Sequence, residues 1–121
     1  MIFIASPYTH PDYSVRQRRY KRVQEYTHRC MQLGEVVFSP IVYGHVFVQY
    51  DERAITSDYW KDFNDHMLMA STSMRVYCLP GWDTSAGVDA EIAYAYRLTI
   101  PMEYVTPTEV VTFEELPHED I

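Results

Sequence analysis

Short apolar runs alternating with segments of helical period constrain this chain more than any other feature. "MIFIAS" opens the sequence as a run too short for a helix and continuous enough for a strand buried on both faces. The two prolines of "PYTHPD" break it, and Val15, Val23, Tyr26, Cys30 and Leu33 then recur at helical spacing as far as Gly34, a residue suited to a C-terminal cap. "EVVFSP" reads as a second strand ended by Pro40, and "IVYGHVFVQYDERAIT" as an aromatic-rich connection without a clear period. Ser57 is placed to cap a helix with Trp60, Phe63, Met67 and Ala70 along one face. The strand "MRVYCLP", a loop, a helix held by Val88, Ile92 and Ala95, and the strand "PMEYV" follow. "TFEELP" is a short terminal element with Thr112 as its cap. The alternation predicts an α/β sandwich, Rossmann-like or flavodoxin-like, with a mostly parallel sheet of four to five strands, flanking helices and right-handed crossovers.

Size and charge narrow the function. A chain of 121 residues has room for one core, so residues 1–121 are expected to form a single domain. A net charge of −7 opposes a nucleic-acid partner, whose phosphates require a broad basic face. The opening residues carry no basic leader and no segment approaches the roughly 20 apolar residues of a membrane span, so a cytoplasmic protein is expected. Cys30 and Cys78 both sit in apolar patterns and read as buried thiols rather than a disulfide or metal clip. The five histidines lack the spacing of a zinc site, and neither a dinucleotide-binding glycine motif nor a P-loop occurs, so no metal or cofactor is expected.

In parallel sheets ligands sit outside the carboxyl ends of the strands, where this chain has "SPYTH", "SPIVYGH" and "PGWDTSAG". Each loop joins a serine to aromatic, histidine or glycine residues. Together they predict a crevice in which an aromatic ring stacks a base while hydroxyls and helix-start amides hold a phosphate or sugar. The competing reading makes the tyrosines ordinary amphipathic surface and the glycines ordinary turns. Trp82, beside Gly81, is expected to cover the pocket or a subunit contact.

"IFIASPY", an acid in the helix before the third strand, and "SAGVDAEIAYA" after it resemble the nucleoside 2-deoxyribosyltransferase superfamily over roughly residues 2 to 105. That superfamily includes the 2′-deoxynucleoside 5′-phosphate N-hydrolases, and "SPY" with "LPGW" before "SAG" is most similar to its small bacterial and phage members. The resemblance implies a nucleotide or nucleoside as the small-molecule partner. It makes Glu91 the nucleophile that captures the anomeric carbon, with helix-start amides favouring its ionised form. Asp65 becomes the second carboxylate, assisting proton transfer to the leaving base, and Tyr8 orients the sugar or the glutamate.

The same resemblance places Ser6, Ser85 and Gly87 on the substrate. A serine rather than a carboxylate at position 85 favours a 5′-monophosphate, whereas Asp83 supplies the carboxylate if the loop is shifted. The loop after the first strand lacks the arginine and glycines of the hydrolases, so Arg19 is the candidate phosphate cation. Arg16, Arg18, Lys21 and Arg22 read as a solvated basic face. His45 is the histidine placed to touch a base. The expected activity is N-glycosidic cleavage of a nucleoside 5′-monophosphate. The alternatives are glycosyl transfer between free nucleosides and a binding protein without turnover. The resemblance further implies a homodimer or larger homo-oligomer.

Overall fold

The computed structural model describes residues 1–107, so the expected cap at Thr112 lies outside the described residues. Strand β1 (Ile2–Ala5) is followed by helix α1 (Tyr13–Gln32), strand β2 (Val37–Phe38) and the short helix α2 (Pro40–Gly44). Two 3-10 turns, His45–Gln49 and Glu52–Ile55, lead into helix α3 (Ser57–Met69). Strand β3 (Ser73–Tyr77), a turn at Trp82–Thr84, helix α4 (Ala86–Arg97) and strand β4 (Met102–Val105) complete the order. Among the described residues all pairings are parallel and the strand order is β2-β1-β3-β4, which is the expected α/β fold with four strands.

Strand alternation divides the core in two. Phe3, Ala5, Met74 and Val76 pack with Leu68 of α3 and with Val88 and Ala95 of α4. Ile4 and Tyr77 point the other way, onto Val23 of α1 and Leu79. Each central strand is thus covered on both faces, which is why "IFIA" reads as an unbroken apolar run. The thiols of Cys30 and Cys78 are free. No helix among the described residues is long and apolar enough to cross a membrane.

Helix α1 starts at Asp12, whose carboxylate accepts from the Ser14 amide at 2.8 Å, and Gly34 (φ 82°) follows its C-cap at Leu33. Its buried stripe is Val23, Thr27 and Cys30, and one turn earlier the same stripe carries Arg19. The Arg19 guanidinium donates to the carbonyls of Tyr8 (3.4 Å), Thr9 (3.1 Å) and Pro80 (3.3 Å). Arg19 therefore ties the loop after β1 to the loop after β3 and does not line the cavity beside them, contrary to its expected role as a phosphate cation.

Gly81 makes that tie possible. Its φ of 94° lies in the left-handed region, and a Cβ there would stand 2.5 Å from the Arg19 guanidinium. Gly81→Ala is expected to destabilise the domain by about 1–3 kcal/mol in urea unfolding, with loss of the Arg19 contacts adding to the backbone strain. An unchanged midpoint would show that the loop adapts freely.

The structure departs from the sequence expectations at α2, at α3 and at Trp82. The aromatic connection contains α2, capped by Ser39 accepting from the Val42 amide at 3.2 Å, and two further helical turns. The N-cap of α3 is Thr56 rather than Ser57, and the fully buried member of its packing face is Leu68, with Phe63 and Ala70 exposed. The phase is shifted because the inward stripe, Trp60–Asn64–Met67–Leu68, contains a polar residue that an apolar period passes over. Trp82 packs against Tyr104 (ring centroids 5.5 Å) and the α3/α4 side of the core, and does not line the cavity.

Candidate active site

From β1 the chain runs outward to β2 and then returns to β3 on the opposite side of β1, which places a topological switch point between β1 and β3. A cavity of about 490 Å³, including its open mouth, lies there. Ser6, Tyr8 and Thr9 reach it from the loop after β1, and Ile41, Gly44 and His45 from the segment after β2. Ser57, Trp60 and Asn64 come from α3, and Ser85, Gly87 and Glu91 from the start of α4.

Ser85 is the N-cap of α4, and its Oγ accepts from the Val88 amide at 3.2 Å, leaving the hydroxyl proton to be donated outward. The amides of Ala86 and Gly87 belong to the first turn, where a helix has no internal acceptors for them. At Gly87 a Cβ would meet Ser57 Cβ at 3.2 Å, so the bare backbone keeps the starts of α3 and α4 close together. Hydroxyls and amides are therefore concentrated at one end of the cavity.

Glu91 stands at the sixth position of α4, one turn beyond the expected location, and the acid of the first turn is Asp89. Dipole stabilisation falls away beyond that turn, and burial dominates. Desolvation, with the Asp65 charge second, pushes the Glu91 carboxyl up to about 8, so the expected ionised form is not favoured at neutral pH. Asn64 Nδ2 is 3.4 Å from Glu91 Oε2.

Asp65 is turned elsewhere. It is ion-paired with Lys61 at 2.7 Å on the same helix and does not line the cavity, which Asn64, one residue earlier, does. The expected catalytic pair is thus one cavity carboxyl and one carboxylate outside it, acting on Glu91 through its charge. Asp83 is exposed in the turn before α4 and likewise absent from the lining.

Tyr8 and His45 meet inside the cavity, with 2.7 Å between Tyr8 Oη and His45 Nδ1. The His45 ring stacks on Tyr20 (centroids 3.9 Å, 16° between planes). Arg16, expected on the solvated face, is partly buried and places its charge beside both Tyr8 and His45. Burial, with Arg16 and Lys21 adding to it, holds His45 below its ordinary value, and burial raises the Tyr8 phenol. Both groups are neutral at pH 7. Ser6 Oγ and Asn64 Oδ1 are buried without a hydrogen-bond partner, and both residues line the cavity, so polar atoms of a ligand are the natural partners.

The family profile described as a domain of unknown function, DUF1937, matches residues 1–105. The chain belongs to the DUF1937 family. No curated protein matches it significantly. The matched region of this DUF1937 chain contains every cavity residue named above. Sequence reasoning singled out Glu91, Tyr8, His45, Ser6, Ser85 and Gly87 in that set, and on α3 it read Ser57 as a cap and Trp60 as core and passed over Asn64. A signal existed for those three: they fall at i, i+3 and i+7, one stripe of α3 in which two polar residues flank a tryptophan.

Proposed function

We propose that this chain cleaves the N-glycosidic bond of a nucleoside 5′-monophosphate with Glu91 as the nucleophile. The observation that carries the reading is that Glu91 is the one carboxyl lining the cavity among the described residues, desolvated and sharing that cavity with the buried, unpartnered Ser6 Oγ and Asn64 Oδ1. A carboxylate beside an oxocarbenium-like carbon captures it as a glycosyl ester, and a desolvated one is more reactive than one in water. In the proposed pose Trp60 faces the base, the orphaned oxygens meet sugar hydroxyls, and Ser85 with the first amides of α4 holds the phosphate. Water then releases the sugar phosphate. Chromatography of free base released from a panel of nucleoside 5′-monophosphates and nucleosides tests this reading. Release from monophosphates is expected, and no release from any member, with or without an acceptor base, would contradict it.

A second reading, cleavage or transfer on unphosphorylated nucleosides, is favoured by one observation: no lysine or arginine lines the cavity among the described residues. A larger kcat/KM for the nucleosides than for their monophosphates would select it. Asp65 is given an indirect role. Because its charge helps to raise Glu91, Asp65→Asn is expected to move the rising limb of the kcat/KM profile to lower pH without abolishing turnover. An unmoved limb would remove Asp65 from the site's electrostatics.

A further inference from the structure

Departure of a base from a sugar leaves a pair of electrons on a ring nitrogen, and for an ordinary base a proton must meet them. The described cavity lining contains three titratable side chains: Glu91, Tyr8 and His45. Glu91 is committed to the anomeric carbon in the proposed reaction, Asn64 has no transferable proton, and Asp65 lies outside with Lys61. On that reading of the site, we infer that His45 is the catalytic acid for the departing base, with Tyr8 behind it as the residue that positions the ring and resupplies its proton.

In this assignment the Tyr8 phenol, itself accepting from Arg16, donates its hydrogen to His45 Nδ1 across 2.7 Å. The imidazole then carries its hydrogen on Nε2, and stacking on Tyr20 fixes the plane of the ring. In the first step a Glu91 oxygen bonds to the anomeric carbon and the carbon–nitrogen bond breaks, its electron pair leaving with the base. The base nitrogen takes the proton from Nε2, Nδ1 takes the phenol's proton, and the tyrosinate faces the Arg16 guanidinium. In the second step a water oxygen bonds to the anomeric carbon and the ester bond to Glu91 breaks. The water's proton returns by the same route to Tyr8. The sum is one glycosidic bond and one water consumed, with free base and sugar released and the enzyme restored.

The groups around His45 fit that cycle. Burial, with Arg16 and Lys21 adding to it, disfavours a standing positive charge on the imidazole, so it gives up an extra proton readily, and Arg16 offsets part of the burial that raises the Tyr8 phenol. A ligand-contact role alone would need neither the bond to Tyr8 nor the adjacent cation.

The test compares leaving groups. His45→Phe keeps a ring against Tyr20 and has no proton to give, and Tyr8→Phe removes only the phenol oxygen. Against the best base-bearing substrate, His45→Phe is expected to lower kcat by about 10²- to 10⁴-fold. Against the matching 4-nitrophenyl riboside 5-phosphate, or 4-nitrophenyl riboside if nucleosides are preferred, the loss is expected to be below about tenfold, because 4-nitrophenolate leaves unprotonated. The double variant is expected to lose no more than His45→Phe alone, as members of one relay do. Equal losses on both leaving groups, additive losses in the double variant, or no loss on either substrate would overturn the assignment. Absence of base release by the unmodified protein would instead contradict the proposed function on which the assignment rests.

Discussion

Glu91→Gln is expected to reduce base release by about 10³-fold or more while leaving ligand binding in place. The amide matches the carboxyl in shape and still fits beside Asn64, so the cavity is preserved and the nucleophile is removed. Single-turnover release measured together with ligand binding by calorimetry checks both halves. A binding protein would keep or improve its affinity and show no release before or after the substitution. Release that persists in Glu91→Gln would mean that another group attacks the sugar.

The pH dependence carries the second large effect, and its sign differs between activity and stability. In the free enzyme a Glu91 with a pKa of about 8 is mostly protonated at pH 6, and only its ionised fraction can attack. kcat/KM is therefore expected to rise about tenfold per pH unit below that value and to level off above it. Stability runs the other way. The folded-state pKa lies above that of an exposed glutamate in the unfolded chain, near 4.3, so between the two values the native state binds more protons. This contribution is fully present below the unfolded pKa and is lost as pH rises through about 8. Glu91→Gln removes the slope, and its Tm is expected to exceed that of the unmodified chain by roughly 5 °C or more at pH 8.5, with a much smaller gap at pH 4.5. Parallel melting curves for the two proteins across that range would show that Glu91 is not held in a desolvated site.

Much of this geometry was legible in the sequence, for identifiable reasons. "MIFIAS" and "MRVYCLP" read as strands because central parallel strands bury both faces, and Gly34 marks a helix end through a backbone requirement that neighbouring residues do not alter. The loops after β1, β2 and β3 converge because parallel topology gathers carboxyl ends on one side, so Ser6, Tyr8, His45, Ser85, Gly87 and Glu91 share a cavity. Less legible was which of two adjacent residues turns inward. Asn64 and Asp65 differ by about 100° around α3, and the ion pair with Lys61 draws the acid outward. Arg16 and Arg19 were likewise separated by tertiary contacts, one meeting Tyr8 and His45 and the other three loop carbonyls. The rise in Glu91 depends on depth within the cavity, which no local pattern encodes.

The role of Glu91 is tested most directly by trapping. A 2-fluoro-arabinosyl nucleotide slows both steps through the electron-withdrawing fluorine, and slows release of the ester more than its formation when the base is a good leaving group. Intact-mass spectrometry after mixing is expected to show the protein heavier by one fluorinated sugar phosphate, or fluorinated sugar if the nucleoside is used, with the adduct mapped to the peptide containing Glu91. Turnover of the parent substrate with no adduct at any time, or an adduct on another residue, would contradict Glu91 as the nucleophile.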